Sequence, residues 1–432
     1  MKQTLLVGAG WLLAICSAVA QLPESLPETT RLTWEEADLS ARLMDGAHRF
    51  VERKIAETAS HRTQFWARDF SSPEAYAKSV QTNRARFRSI IGAVDTRLPI
   101  RMERFGDEAE PIWVTETSAY RVFQVRWPVL EGLSGHGLWV QPKEKATGHV
   151  IALPDADQTP EQLMGLAPGV PPESQVGRRL AENGFEVLLP TLINRARLKT
   201  DDQQLRASDQ THREWIYRQA FHMGRHVIGY EVQTVLAAAD WFRQQHGNDL
   251  KVGLCGYAEG GLIAFYAAAV EPRIAAVLVS GYFDSRQAVW AEPIYRNVWG
   301  LLREFGDAEL ASLILPRALI VEHSAVPTVV GHKGEWRTPG FASVAAEVER
   351  IQTGPIFHKP VFVHGEQEKP IGPFSEAAMT AFAGQLGVGK LTALSEELPV
   401  DRRAAFDPDT RQHRLVQEME NHVQMLVRQS DR

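Results

Sequence analysis

One stretch constrains this chain more than any other, residues 251–270, KVGLCGYAEGGLIAFYAAAV. A short apolar run meets a glycine-rich turn, and good helix formers follow, so the stretch predicts a strand, a tight turn and a helix. The turn, Gly256 to Gly260, matches the pattern G-x-S-x-G with Ala258 in place of the serine. The glycines of that pattern leave room where a Cβ would clash with the neighbouring strand or helix. The sequence therefore keeps a sterically demanding turn and lacks its reactive atom.

The composition is that of a globular protein with a large core. The chain has 432 residues, of which 44% are hydrophobic and 23% are charged, and its net charge is −6. This charge argues against nucleic acid or an anionic membrane as a main partner. Cys16 lies in a segment that we expect to be removed, so Cys255 has no internal disulfide partner. We expect Cys255 to be a small buried core residue.

The first 20 residues have the features of a secretory signal peptide. Lys2 supplies the positive start, residues 4–14 are apolar, and Ala-Val-Ala at residues 18–20 is a cleavage site. A membrane anchor is the alternative, but the apolar stretch is short for a span and a polar linker follows it. We therefore expect a mature protein that begins at Gln21, is secreted or periplasmic, and has no membrane span.

The region before the sheet is predicted to be helical. After a polar linker, T-W-E-E at residues 33–36 forms a capping sequence, and apolar residues then recur at helical spacing. A second helix is predicted from Ser72 to Ile91. We interpret these helices as a packing layer on the main domain.

From residue 120 the pattern changes to short buried strands that alternate with helices. Strands are predicted at residues 120–127, 135–140, 149–153, 185–189, 252–255, 274–279, 318–321 and 361–363. The helices between them include a long one at 212–245, and another follows at 375–386. This alternation predicts an α/β fold with a doubly wound, mostly parallel sheet. In such sheets ligands bind at the carboxyl ends of the strands.

The chain ends in an amphipathic pattern over residues 407–429. Its apolar face carries Leu415, Met419, Val423 and Leu426. Because no helix stop precedes the end of the pattern, we expect this helix to pack on a surface outside the chain's own sheet. The predicted organisation is a signal peptide at 1–20, a helical N-terminal extension at 21–112, the α/β domain at 113–388 and a C-terminal helical tail at 389–432.

Three segments carry a resemblance to a known family. The first is a pair of adjacent strands that is similar to the first hairpin of the family's sheet, WPVLEG at 127–132 with GLWVQP at 137–142. The second is similar to the family's long helix before the turn, THRE at 211–214 with GRHVIGYE at 224–231. With the turn at 256–261, the chain resembles the α/β-hydrolase superfamily, and within it the dienelactone hydrolase and acetyl xylan esterase-like group of exported bacterial hydrolases. The resemblance spans about residues 113–386. It implies the α/β-hydrolase fold and the hydrolysis of carboxylic esters. Ala258 departs from the family pattern at the residue that this reaction requires.

The resemblance also implies a catalytic triad in the chain order nucleophile, acid, histidine. These places fall on Ala258, which cannot attack, on Glu322 after a strand, and on His364 after the last strand. His323 and Asp284 are the second candidates for base and acid. The alternatives stay open: Glu322 as a strand-end carboxylate paired with an arginine, and His364 as a hydrogen-bonded loop histidine.

The family's oxyanion hole would use two backbone N–H groups. One belongs to Glu259, and the other to the loop that contains Asp155 and Ala156. A carboxylate beside an anion site is unfavourable, so we expect the Glu259 side chain to point away and pair with an arginine of the long helix. Asp155 and Asp157 are otherwise expected to lie in a solvated turn before a helix cap.

No metal or cofactor is predicted. His222 and His226 have the spacing of a zinc pair, but the H-E-x-x-H sequence is absent. Trp290 and Trp299 are expected to be core aromatics, whereas the glycine-flanked polar loop before Trp336 predicts an exposed side chain.

Three functional hypotheses follow. The first is an exported α/β-hydrolase-fold protein related to carbohydrate esterase-like hydrolases, in which Ala258 removes serine acyl-enzyme chemistry. The second is a non-catalytic protein that binds a small-molecule or carbohydrate ester ligand in the inherited cleft. The third is a working serine enzyme altered at one position. With the family's arrangement intact, Ala258→Ser would be expected to restore labelling by a fluorophosphonate.

The signal sequence gives a first testable prediction. Because Ala-Val-Ala at residues 18–20 is the cleavage site, the exported protein should begin at Gln21. Intact-mass analysis of the protein from the culture medium or periplasm checks this. A mature chain that retains Met1 or Cys16 would contradict it.

Overall fold

The computed structural model describes residues 28–30, 38–106, 111–199, 208–332, 334–355 and 357–430. The chain forms two compact units, residues 1–53 and residues 54–432. The signal peptide and the capping sequence at residues 33–36 lie outside the described residues, and the domain bounds given above stay predictions. Within the described ranges, no helix has both the length and the apolar character that a membrane span requires.

A mixed sheet organises the second unit, with ten strands among the described residues. The strands are β1 Glu103–Arg104, β2 Trp113–Glu116, β3 Tyr120–Leu130, β4 Leu133–Pro142, β5 His149–Leu153, β6 Glu186–Pro190, β7 Val252–Tyr257, β8 Ile274–Ser280 and β9 Ala318–Glu322, a separate pair β10 Val329–Val330 and β11 Glu335–Trp336, and then β12 Val361–Val363.

Helices cover both faces of this sheet. The α-helices of the described residues are α1 Leu39–His61, α2 Pro73–Ser79, α3 Gln81–Ile90, α4 Pro160–Leu163, α5 Val176–Glu182, α6 His212–His222, α7 Val227–His246, α8 Glu259–Val270, α9 Leu301–Glu304, α10 Asp307–Ile314, α11 Phe341–Glu349, α12 Glu376–Gln385 and α13 Pro408–Ser430. Helix α1 begins in the first unit, has no buried residue and is not one of the helices that cover the sheet.

The strand order is β1-β3-β4-β6-β5-β7-β8-β9-β12, with β2 also paired to β3. The β3–β4 hairpin and the β4–β6 pair are antiparallel, and every pairing from β6 to β12 is parallel. The parallel strands are buried on both faces, as their continuous apolar runs predict. The predicted α/β-hydrolase fold is therefore confirmed, together with helices before and after the sheet.

The long helix predicted at residues 212–245 is in fact two helices. Helix α6 ends at His222, and Gly224 adopts a left-handed φ of 64° before α7 begins. The His226 side chain caps α7, because its Nδ1 accepts the N–H of Ile228 at 3.1 Å. Burial lowers the pKa of His226 to about 4, so it is neutral and serves as a cap. The predicted helix from Ser72 is likewise divided, into α2 and α3.

The C-terminal helix forms as predicted, but its expected packing is wrong. In α13, Leu415, Met419 and Val423 are buried in the same hydrophobic core as the sheet. Glu418 accepts the backbone N–H of Ser134 at 2.8 Å, and Gln412 donates to the carbonyl oxygen of Leu192 at 2.7 Å. The apolar face thus covers β4 of its own sheet. The absence of a sequence stop carried no information about where the helix docks.

The turn after β7 gives a prediction on stability. A Cβ on Gly260 would overlap the backbone oxygens of Pro154 and Leu153, whereas a Cβ on Gly384 of α12 meets no atom within 4 Å. Gly260→Ala should therefore lower the free energy of unfolding by about 1–3 kcal/mol or more. Gly384→Ala should leave it unchanged or raise it by up to about 1 kcal/mol. Urea unfolding of both variants measures the difference, and equal stability would contradict the packing described.

Candidate functional site

The turn between β7 and α8 has the geometry of a nucleophile elbow. Ala258 lies there with φ 55° and ψ −113°, a conformation that costs a non-glycine residue about 1–3 kcal/mol. Its N–H donates to the carbonyl oxygen of Ser280 at 2.9 Å, and the residue is completely buried. Ala258 thus occupies the strained position of the turn between β7 and α8. A methyl group occupies the place of the reactive hydroxyl, and it can neither attack a carbonyl nor be activated by a base.

The first amide expected in the oxyanion hole already has a partner. The N–H of Glu259 donates to Oδ1 of Asp155 at 3.1 Å. Arg195 holds both oxygens of the same carboxylate, at 2.8 and 2.7 Å. Asp155 is only 2% exposed, and Ala156 beside it is also buried. A carboxylate that binds this amide fills the place of a substrate oxyanion and repels the negative charge that would develop there.

The side chain of Glu259 lies in a buried cluster of arginines. Its oxygens are 2.6 Å from Arg296, 3.2 Å from Arg195 and 3.4 Å from Arg213. Burial alone would raise the pKa of this carboxyl, but Arg296, Arg213 and Arg195 together lower it to about 2. Arg213 also binds both oxygens of Glu231, at 2.8 and 2.9 Å. The expected pairing of Glu259 with an arginine of the helical stretch after residue 212 is confirmed.

The tryptophans are arranged opposite to expectation. Trp336 is only 2% exposed, and the guanidinium of Arg296 lies 4.0 Å from the centre of its ring. This cation–π contact explains why a residue in a polar loop is buried. Trp290 and Trp299 were expected in the core, yet they are 53% and 64% exposed.

Glu322 connects the end of β9 to the start of helix α12 through hydrogen bonds. Its Oε2 accepts the hydroxyls of Ser280 at 2.7 Å and Ser324 at 3.1 Å and the N–H of Phe374 at 2.8 Å. Its Oε1 accepts the N–H of Ser375, the cap of α12, at 2.8 Å. The residue is 1% exposed. Amides at a helix start bind a carboxylate well, so these contacts give Glu322 a structural role.

His364 lies in a different environment. The residue is exposed, its Nδ1 is 2.9 Å from the carbonyl oxygen of Gly365, and its ring packs against Phe341 and Phe362. No hydrogen bond among the described residues joins it to Glu322. The acid and the base that the resemblance implies thus lie on neighbouring strands, with Val363 paired to Glu322 in the β9–β12 register, but the described hydrogen bonds do not join them. The contacts of His364 are those of a loop histidine.

The second candidates also have structural partners. His323 is buried, with Nε2 at 3.0 Å from the carbonyl oxygen of Pro339. Asp284 accepts the hydroxyl of Ser343 and the N–H of Ser285. Neither residue has a described contact to the elbow.

Arg195 and Arg296 are the site residues that the sequence analysis missed. Arg195 lies in the loop after β6 and Arg296 ends a short 3-10 helix, Ile294–Arg296, 101 positions later, so no local spacing links them. One signal could have placed Arg195 beside Asp155. Arg195 follows β6 and Asp155 follows β5, and the carboxyl ends of parallel strands meet at one edge of the sheet.

Comparisons with known proteins agree with this architecture. The model of the dienelactone hydrolase family matches residues 163–289, which confirms the resemblance proposed from the sequence. Comparison with curated protein sequences gives no match.

Solved structures with a similar chain path include several esterases. Acetyl xylan esterase 1 from Thermoanaerobacterium sp. shares 14% identity over 70% of this chain and 93% of its own, with a TM-score of 0.45. A glucuronoyl esterase from Solibacter usitatus shares 15% over 72% and 94%, with a TM-score of 0.46. An acetyl xylan esterase from Paenibacillus sp. R4 shares 14% over 76% and 99%, with a TM-score of 0.45.

The arginine cluster predicts a specific pH dependence. Because the pKa of Glu259 is lower in the folded chain than in the unfolded chain, its contribution to stability is full above pH ~4.3 and is lost as the pH falls towards 2. Glu259→Gln should therefore cost about 3 kcal/mol at pH 7 and about half of that at pH 3, as measured by urea unfolding. The exposed Glu349→Gln is the matched control and should show almost no effect. An equal or larger cost of Glu259→Gln at pH 3 would contradict the assignment.

Proposed function

We propose that the protein is an exported α/β-hydrolase-fold relative of carbohydrate esterase-like hydrolases in which serine-based acyl transfer does not operate. The observation that carries this proposal is the hydrogen bond from the Glu259 amide to the Asp155 carboxylate, next to an alanine at the elbow. Each is unfavourable for acyl transfer by itself, and together they remove both the attacking atom and the anion site.

The remaining groups do not compensate for this loss. Enzymes of this type that lose a triad member keep roughly 10³–10⁴-fold catalysis over water from the oxyanion hole and substrate binding. Here the amide that would supply the hole is bound to a carboxylate, so even this residual rate should be strongly reduced. Among the described contacts, Glu322 is hydrogen-bonded to the start of α12 and His364 contacts the carbonyl oxygen of Gly365, so the two do not form an acid–base pair.

The third hypothesis, a working enzyme altered at one position, fits the site poorly. Asp155 is held by Arg195 through two hydrogen bonds, and both side chains are almost completely buried. A change from serine to alanine removes one hydroxyl and does not create this ion pair. We therefore infer that the site around the elbow has a structural role in the native protein.

Carbohydrate binding is the second candidate function, and the exposed aromatic residues favour it. Trp299 is 64% exposed, and its indole N–H donates to the hydroxyl of Tyr217 at 2.8 Å, which fixes the ring. Phe221, which is 44% exposed, lies beside it with a ring separation of 5.8 Å. A fixed and exposed aromatic surface is typical of a binding site.

Labelling tests the main proposal. Neither the protein as it stands nor Ala258→Ser should react with a fluorophosphonate, because in the variant the hydroxyl lacks a positioned base and the amide stays bound to Asp155. Intact-mass analysis of both forms and hydrolysis of p-nitrophenyl acetate measure this, with a known serine esterase as the positive control. Covalent labelling at residue 258, with hydrolysis at least 100-fold above that of the alanine form, would refute the proposal.

The carbohydrate hypothesis has its own test. Trp299→Ala should weaken binding to xylan and related polysaccharides at least 10-fold in affinity electrophoresis, because it removes the fixed exposed ring. Trp113→Ala is the matched control, since Trp113 is 43% exposed on strand β2. Equal binding by both variants and the unaltered protein would exclude Trp299 from the binding surface, and absence of binding by all three would exclude this function for these ligands.

A further inference from the structure

Three potential metal ligands converge at the amino ends of the parallel strands, the end of the sheet away from the elbow. His149 begins β5, Glu186 begins β6, and His246 is the last residue of α7. His149 and Glu186 are register partners in the parallel β5–β6 pair. One ligand atom from each of the three residues lies within 4.8 Å of the other two.

The distances suit a single small cation. Oε2 of Glu186 is 3.3 Å from Nε2 of His149 and 2.8 Å from Nε2 of His246. Zinc binds imidazole and carboxylate at about 2.0–2.2 Å in a tetrahedron, which separates the ligand atoms by about 3.4 Å. Small side-chain rotations would therefore bring all three atoms to bonding distance.

Two further features support a metal site. The Nε2 of His149 is buried and, despite its 3.3 Å distance from Oε2 of Glu186, is not aligned for a hydrogen bond within the described part of the chain. The His149 ring contacts the rings of Phe242 and His246. Trp139 donates its indole N–H to Oε1 of Glu186 at 2.8 Å, which leaves Oε2 directed at the two histidines. An outer hydrogen bond of this kind orients a ligand and is characteristic of metal sites.

The environment permits entry and favours positive charge. The His246 side chain is 36% exposed, so a cation and a water molecule can reach the cluster from solvent. His246 also lies at the carboxyl end of a 20-residue helix, where the helix dipole stabilises a cation.

We propose that His149, Glu186 and His246 form a binding site for a divalent transition metal, with zinc as the best-fitting ion and water as the fourth ligand. Two imidazoles and one carboxylate favour zinc, cobalt or nickel over magnesium and calcium, which prefer oxygen ligands alone. The site is independent of the elbow and of the function proposed above. The alternative is a metal-free cluster in which a protonated histidine pairs with Glu186.

Calorimetric titration with zinc distinguishes the metal site from the metal-free cluster. Protein without a polyhistidine tag, stripped with a chelator, should bind one zinc ion per chain, and cobalt should give the absorption spectrum of a four-coordinate complex. His246→Ala should weaken zinc binding at least 10-fold, whereas His222→Ala, which removes an exposed histidine of α6, should leave it unchanged. Trp139→Phe keeps a ring in place and should weaken binding by about 10–100-fold, because it removes the outer hydrogen bond.

Each outcome bears on the proposal. Weaker zinc binding by His246→Ala, together with unchanged zinc binding by His222→Ala, supports the proposal. Absence of zinc binding by the unaltered protein, equal affinity in His246→Ala, or magnesium bound as tightly as zinc would overturn it. Because His246 is partly exposed, its replacement should leave the fold intact, and circular dichroism of the variant verifies this.

Discussion

The contact between the Glu259 amide and the Asp155 carboxylate is the interaction on which the rest of the site depends. Asp155 alone would be a buried charge beside a second carboxylate, Glu259, which is energetically costly. Arg195 bridges the two acids, and Arg213 and Arg296 complete the compensation of Glu259. Removing Arg195 would take the arginine partner from the buried Asp155, and removing Arg213 would take it from the buried Glu231, so the cluster is expected to behave as a unit.

This arrangement explains how a strained turn persists without a reactive residue. Gly256 permits β7 and α8 to approach closely, and Gly260 permits α8 to approach the end of β5. Ala258 keeps its unfavourable φ because the surrounding contacts determine it. In a serine hydrolase the turn presents a nucleophile. Here the same geometry directs the first amide of α8 at Asp155, and so it anchors the loop after β5 against the helix.

The sequence was sufficient for the fold because its signals are local. Apolar runs and apolar residues at helical spacing each depend on a few neighbouring residues, and they located strands β3–β9 and β12 and several of the helices. Contacts between distant segments were not accessible in this way. The burial of Trp336 depends on Arg296, the docking of Leu415 depends on β4, and the hydrogen bonds of Glu322 go to the start of α12 and not to His364. Order along the chain placed these residues in the correct elements but could not fix their side-chain partners.

A high-resolution crystal structure of the protein soaked with a phosphonate ester analogue tests the central claim most directly. We expect the Asp155 carboxylate to lie within hydrogen-bonding distance of the Glu259 N–H, with both of its oxygens on Arg195 and with the analogue absent from the elbow. An analogue oxygen bound to the Glu259 N–H, with Asp155 displaced from it, would contradict the claim and would show that the oxyanion hole is functional.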